Sequence, residues 1–289
     1  MKTRPLKTVL SAVILLFLSV RVYAEYPASL ISVEASIDQR PGFGIFDSSH
    51  ATVYFQDGVP SQRVLEIGTF FDVAHAIVGT DLAYPNIRPR IYVYRSMEDL
   101  SNDLVDYWGY PEWIRTYRVI PRMNADYEMW VPPGRGADFI GHEYSHRIIE
   151  QIAGLNSQVN YKWFDEGLAT EEGIRTLSSI SPADAASLRS YYRKAAKEAL
   201  QSGTYISLNQ LTTEAQWQHW MQTPYVHYIY YQTAAAMEYL VTGAGMPVMQ
   251  SILIQIGQGN PFPVAFETVS EKSIDQFEAE FLAWLPTAP

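Results

Sequence analysis

His142-Glu143-Tyr144-Ser145-His146 is the stretch on which the reading of this chain turns. On a helix, residues four apart stand one turn above each other on the same face. The imidazoles of His142 and His146 can then reach one metal ion. Glu143 projects beside them, close enough to touch a water on that metal. This H-E-x-x-H arrangement is that of zinc hydrolases, with two histidine ligands and a carboxylate general base. The bland alternative is an amphipathic helix with polar residues at those positions, and the neighbouring sequence weighs against it.

Two histidines do not complete a catalytic zinc site, which takes three protein ligands and keeps a fourth position for water. The chain has no cysteine, so the ligand types left are His, Asp and Glu. Downstream, Trp163-Phe164-Asp165-Glu166-Gly167-Leu168-Ala169 supplies Glu166. The gap from His146 fits the rest of one helix, a turn and the start of a second helix running back. Glu166 and Thr170 then share a face. Trp163, Phe164, Leu168 and Ala169 mark a buried segment, where a lone carboxylate is costly unless paired or metal-bound. Metal-bound histidines donate their other N–H to an orienting group. Asp165, Thr170, Glu171 and Glu172 are near enough in sequence to serve, and nothing in the sequence chooses among them.

The wider pattern places these segments. Ala51–Gln56 reads as a strand ended by Asp57-Gly58, and Arg90–Arg95 as a second. Val64, Ile67, Phe71, Ala74 and Val78 recur at helical spacing over 61–79. A short helix follows from about Met97 to Trp108. Tyr127–Val131 is a third strand, closed by Pro132-Pro133. Asp138 is a candidate N-cap for the helix carrying the two histidines, with Gly154 and Asn156 marking its end. Beyond about residue 160 the chain is mostly helical. Ser273-Ile274-Asp275-Gln276 fits a capping box opening a helix with Phe277, Phe281 and Trp284 on one face. Strands first and helices second argue an α+β fold, with a small mixed sheet and the metal helix in the first half.

Residues 1–24 read as an export signal. Lys2, Arg4 and Lys7 precede an apolar run, Val9 to Val20, too short to span a bilayer comfortably, and Val22-Tyr23-Ala24 offers small residues for cleavage. The expected mature chain is 25–289, read as one peptidase-sized unit: 25–155 as sheet plus metal helix, 156–289 as a helical subdomain. Residues 1–24 carry four basic and no acidic residues, so the mature chain has 17 basic against 31 acidic, a net of −14. So acidic a chain is not expected to bind nucleic acid or an anionic membrane through bulk charge. An exported chain without disulfides depends on its core, and on a metal if it holds one.

The His142–His146 and Trp163–Ala169 segments together resemble the gluzincin metallopeptidases, which carry H-E-x-x-H and then W-x-x-E-G-x-A about twenty residues on. Size and the order of elements resemble the bacterial peptidase MA-like group, a minimal relative of the aminopeptidase-N catalytic domain. The resemblance covers about residues 50–285. It implies a zincin-like fold, a single zinc ion per chain, His142, His146 and Glu166 as its ligands, Glu143 as the base and a peptide or protein substrate. It also implies a bacterial source, which with the export signal makes the expected location periplasmic or extracellular.

Tyr230-Tyr231-Gln232-Thr233 onward resembles the family helix that opens on a catalytic tyrosine, which makes Tyr230 the expected oxyanion donor, with Tyr228, Tyr231 and His227 as rivals. The related aminopeptidases carry G-x-M-E-N before the metal helix. Here the corresponding stretch, Arg122 to Trp130, lacks it. Aminopeptidase action is therefore not expected, and Tyr127–Val131 reads instead as an edge strand that pairs an extended substrate. His75 reads as a core or boundary residue, and His50 and His219 have no ligand-spaced partner. Three other functions compete: an exported binding protein with a zinc-stabilised fold, a zinc hydrolase of a non-peptide amide, and an aromatic-rich glycan-binding module without metal.

Overall fold

A computed structural model describes residues 40–84, 87–117, 123–124, 126–154 and 160–289. The export signal, Asn156, and Arg122 and Ala125 of the stretch compared with G-x-M-E-N lie outside the described residues.

The first half builds a four-stranded sheet in the order β1-β2-β3-β4. β1 (Phe43–Asp47) and β2 (Thr52–Gln56) form an antiparallel hairpin, with Phe43 opposite Gln56. Helix α1 (Ser61–Asp81) then crosses to β3 (Arg90–Val93), which runs parallel to β2. Helices α2 (Met97–Asp106) and α3 (Trp113–Tyr117) precede β4 (Glu128–Val131), parallel to β3. The sheet is therefore mixed, as expected. Strand β1 was not legible in the pattern, because Gly44 interrupts its apolar run. A Cβ at that position would enter the ring of Phe55 on the paired strand, which would have to shift.

Alternation along the strands assigns the two faces. Val53, Ile91, Val93, Met129 and Val131 point into the main core. Tyr54, Tyr92, Tyr94 and Trp130 point the other way, onto Leu100 and Leu104 of α2 and Ile114 of α3. Both faces are covered, which suits strands that pair in parallel.

The second half is helical among the described residues: α4 (Ala137–Ala153), α5 (Lys162–Ile180), α6 (Pro182–Ser202), α7 (Glu214–Met221), α8 (Val226–Ala244), α9 (Met246–Gly257), α10 (Phe262–Ser270) and α11 (Ile274–Trp284). The capping box at Ser273 is present in full, and Phe277 and Phe281 are buried behind it. One apolar cluster runs from Ala51 to Leu285. Trp163, fully buried at the start of α5, packs on Phe262, Phe266 and Phe277 and ties α10 and α11 to the helix that carries Glu166.

Helix α4 starts two residues earlier than expected. Gly136, in an extended conformation, occupies the N-cap, and Asp138 lies in the first turn without capping it. A carboxylate there still complements the positive end of the helix dipole. The end at Gly154, with φ of 90°, matches expectation.

Helices α4 and α5 are antiparallel and unusually close. A Cβ on Gly141 would come within 3.0 Å of the Gly173 Cα. One on Gly173 would enter the carbonyl oxygen of Asp138 and stand 3.3 Å from the backbone nitrogen of His142. The two glycines face each other, so backbone meets backbone beside the first histidine.

Candidate metal centre

The helical spacing in α4 does what the sequence implies. His142 and His146 stand one turn apart, with their Nε2 atoms 3.0 Å from each other. Glu166, in the second turn of α5, brings Oε2 to 3.6 Å from each of those nitrogens. The three side chains form a group able to hold a metal ion, with one candidate ligand atom from each and all three atoms within 4.8 Å. His146 and Glu166 are buried, whereas the His142 side chain keeps 21% of its surface exposed, so the cluster meets solvent on the His142 side.

The other ring nitrogens are held from α5. His146 Nδ1 lies 2.8 Å from Oδ1 of Asp165, itself fully buried. A carboxylate only accepts, so Nδ1 carries the proton and Nε2 presents a lone pair. Thr170 Oγ1 donates to the Glu166 carbonyl at 2.7 Å and lies 3.3 Å from His142 Nδ1. Its one proton is committed, so it accepts from Nδ1, and the His142 Nε2 also presents a lone pair. These tautomers, inferred from the hydrogen-bond network, aim two lone pairs and a carboxylate oxygen at one point.

Of the four orienting candidates, the structure thus selects Asp165 and Thr170. Glu171 instead grips Arg189 of α6 through both oxygens, at 2.5 and 2.6 Å. Glu172 is fully buried away from the histidines, beside Asp81 and Arg175. Burial, with Asp81 second, pushes its carboxyl well above the usual range.

Glu143 lies between the two histidines on α4. Its Oε2 is buried and has no hydrogen-bond partner among the described residues. Its neighbour Tyr144 faces the opposite way, edge-on to Phe71 at 5.0 Å, and burial raises its hydroxyl to about 12.

Sequence reasoning missed Lys162. This buried lysine places Nζ 2.8 Å from Oε1 of Glu166 and 3.6 Å from Oδ2 of Asp165. The signal was present: Lys162 precedes Asp165 and Glu166 by three and four positions, the spacing that puts helical side chains in contact.

The tyrosine candidates separate. The Tyr230 ring meets the edge of Trp217 at 5.1 Å, and the same Trp217 ring lies 5.8 Å from Lys162 Nζ, so one indole contacts both Tyr230 and the ammonium beside Glu166. Helix α8 reaches that place because α5 has Gly167 beside Glu166: a Cβ there would stand 2.9 Å from the carbonyl oxygen of Thr233. Tyr231 turns to α6, accepting from the Tyr191 hydroxyl at 3.0 Å and stacking on Tyr192. His227 is exposed and stacks on Tyr231. The remaining histidines stand apart from the cluster. His75 is buried and stacks on His50 at 4.0 Å, while His50 contacts Asp72, and His219 packs on Trp220.

Compared with known proteins, the chain matches no family model, and the search of curated proteins finds no match. The resemblance to gluzincins therefore rests on the two sequence segments alone.

Proposed function

We propose that this chain is an exported zinc peptidase of the gluzincin type, with a zincin-like arrangement of sheet and helices. One zinc ion is held by His142, His146 and Glu166. The observation that carries this reading is the spacing of the donor atoms. Zinc bonds of about 2.0–2.1 Å at tetrahedral angles separate neighbouring ligand atoms by about 3.3 Å. The three separations here are 3.0, 3.6 and 3.6 Å. With both ring protons on Nδ1, as the contacts to Asp165 and Thr170 imply, the two Nε2 lone pairs repel each other at that distance unless a cation stands between them.

When bound, zinc supplies Lewis acidity and lowers the pKa of water to about 7. Each remaining task falls to a side chain. Glu143, through the oxygen that lacks a partner, takes a proton from the attacking water and returns it to the leaving amine. Tyr230 donates its phenolic hydrogen to the oxyanion that develops on the cleaved carbonyl. Asp165 and Thr170 hold the two imidazoles in the tautomer that leaves Nε2 available. β4 stands at the end of the strand order and pairs only with β3 among the described residues. Yet Glu128, Met129, Trp130 and Val131 are all buried, so the edge expected from the sequence to pair an extended substrate is covered, and β4 does not favour cleavage within a chain. The unpartnered Glu143 oxygen favours catalysis over a purely structural metal.

The test combines metal analysis with one substitution. Mature protein should bind one zinc ion per chain and cleave members of a peptide library. Glu143→Gln should keep the metal and lose about 10²–10⁴ in rate. A Glu143→Gln variant with undiminished hydrolysis would refute the assigned base, and a metal-free wild type grown with zinc would refute the centre.

A further inference from the structure

We propose that Lys162 sets the denticity of Glu166, holding it as a one-oxygen ligand so that a coordination position stays open. The inference rests on the metal-centre reading above and deepens it. A carboxylate can approach a divalent cation through one oxygen or both, and nothing in the Glu166 side chain itself prefers one. The difference between its two oxygens comes from outside. Oε2 faces the histidines at 3.6 Å from each Nε2, while Oε1 lies 2.8 Å from the ammonium of Lys162. An oxygen engaged with a buried ammonium at that distance has a competing positive partner, and turning it toward a metal would break a charge-assisted hydrogen bond.

The ammonium has little freedom to follow. Lys162 stands one helical turn before Glu166 on the same face of α5, and its side chain is 6% exposed. Its Nζ is flanked by three carboxylates: Glu166, Asp165 at 3.6 Å on α5, and Glu214 at 3.6 Å on α7. The Trp217 ring of α7 closes the same side at 5.8 Å. The backbone is fixed too, since the Lys162 amide donates to the Thr212 carbonyl at 2.7 Å. Withdrawing Nζ would leave buried carboxylates without their counter-charge, which is strongly unfavourable. Lys162 is therefore a positioning residue: it touches the ligand and acts on the metal only through it.

This role differs in sign from a purely structural one. If Lys162 only neutralises buried charge, removing it should loosen the ligands and weaken metal binding. If it withholds Oε1, removing it lets Glu166 add a second oxygen and takes a positive charge away from the cation, so binding should tighten. The experiment uses the full mature chain loaded with zinc or cobalt(II). Zinc affinity is measured by competition with a chromophoric chelator. Coordination number is read from the cobalt visible absorption, which is more intense for four ligands than for five.

Wild type should show the intense four-coordinate spectrum. Lys162→Met should lose that intensity severalfold and bind zinc more tightly, and Lys162→Arg, which can still donate to Oε1, should restore both values. A Lys162→Met protein with the wild-type spectrum, or with weaker zinc binding, overturns the proposal. Should that variant not fold, wild type still decides: a crystal structure of the zinc-loaded chain showing both Glu166 oxygens on the metal overturns it alone. A wild type that takes up no metal overturns the metal-centre reading as well.

Discussion

Asp165→Asn is the perturbation that separates an oriented metal site from a chance gathering of histidines. Asp165 is fully buried, and its Oδ1 lies 2.8 Å from His146 Nδ1. Asparagine keeps the shape and can still present an oxygen to that N–H, so the tautomer survives and only the charge is lost. Hydrogen bonds to a charged group contribute about 1.5–3 kcal/mol and neutral ones about 0.5–1.5, so the substitution should remove roughly 1–1.5 kcal/mol. That is about a tenfold loss of zinc affinity, within the range seen when such outer partners are changed. Thr170→Val removes a longer, neutral contact to His142, 3.3 Å in length, and should cost less, about threefold. The assay is chelator competition at neutral pH on folded protein, with Glu143→Gln as a control that leaves affinity unchanged. If Asp165→Asn binds zinc within a factor of two of wild type, or if Thr170→Val costs more, the orienting scheme is wrong.

Tyr230→Phe should lower kcat by about 10²–10³ with zinc content unchanged, while Tyr231→Phe should act weakly; the reverse order in steady-state assays would move the oxyanion donor to Tyr231. Gly173→Ala should push α5 from α4, because a Cβ there enters the Asp138 carbonyl. Overpacking costs about 1–3 kcal/mol, so calorimetry should show Tm lowered by roughly 2–10 °C; an unchanged or raised Tm would contradict the close crossing. Glu172 tests a pH effect. Its pKa is raised by burial from an ordinary 4.5, so its contribution to stability is full below that value and is lost as pH rises through the folded pKa. Wild type should therefore lose more stability than Glu172→Gln between pH 5 and pH 9, and parallel Tm curves would count against the assignment.

The sequence made some of this visible, for identifiable reasons. Helical periodicity is local, so the position of His142 over His146 needed no tertiary knowledge. The alternation of Arg90–Val93 and the box at Ser273 were equally local. The return of α5 was inferred from chain length alone, and the antiparallel register bears it out: His142 meets Thr170, and His146 meets Asp165. What stayed hidden depended on neighbours from elsewhere. Asp165 and Glu171 are both acidic residues of α5 within five positions of Glu166, yet one reaches a histidine and the other reaches Arg189 on α6. Nothing near Lys162 in sequence marks the α7 residues, Glu214 and Trp217, that face its ammonium.

The glycines explain why ligands from two helices can converge at all. Helices packed through ordinary side chains keep their axes about 8–10 Å apart. A metal ion requires donor atoms from both within a few ångströms of each other, so two short side chains must span whatever gap the packing leaves. In this chain the gap is reduced where it matters. Gly141, adjacent to His142, faces Gly173, and Gly167, adjacent to Glu166, admits the Thr233 carbonyl of α8. Each ligand-bearing helix thus carries a glycine next to a ligand, on the side where another helix presses in. The first contact brings α5 onto α4, which sets the distance from Glu166 to the imidazoles. The second brings α8 onto α5, which sets where Tyr230 can stand. On the proposed reading, metal geometry and donor placement both follow from these two crossings, so a substitution at Gly141 or Gly173 should disturb zinc binding, and one at Gly167 should disturb turnover more than binding.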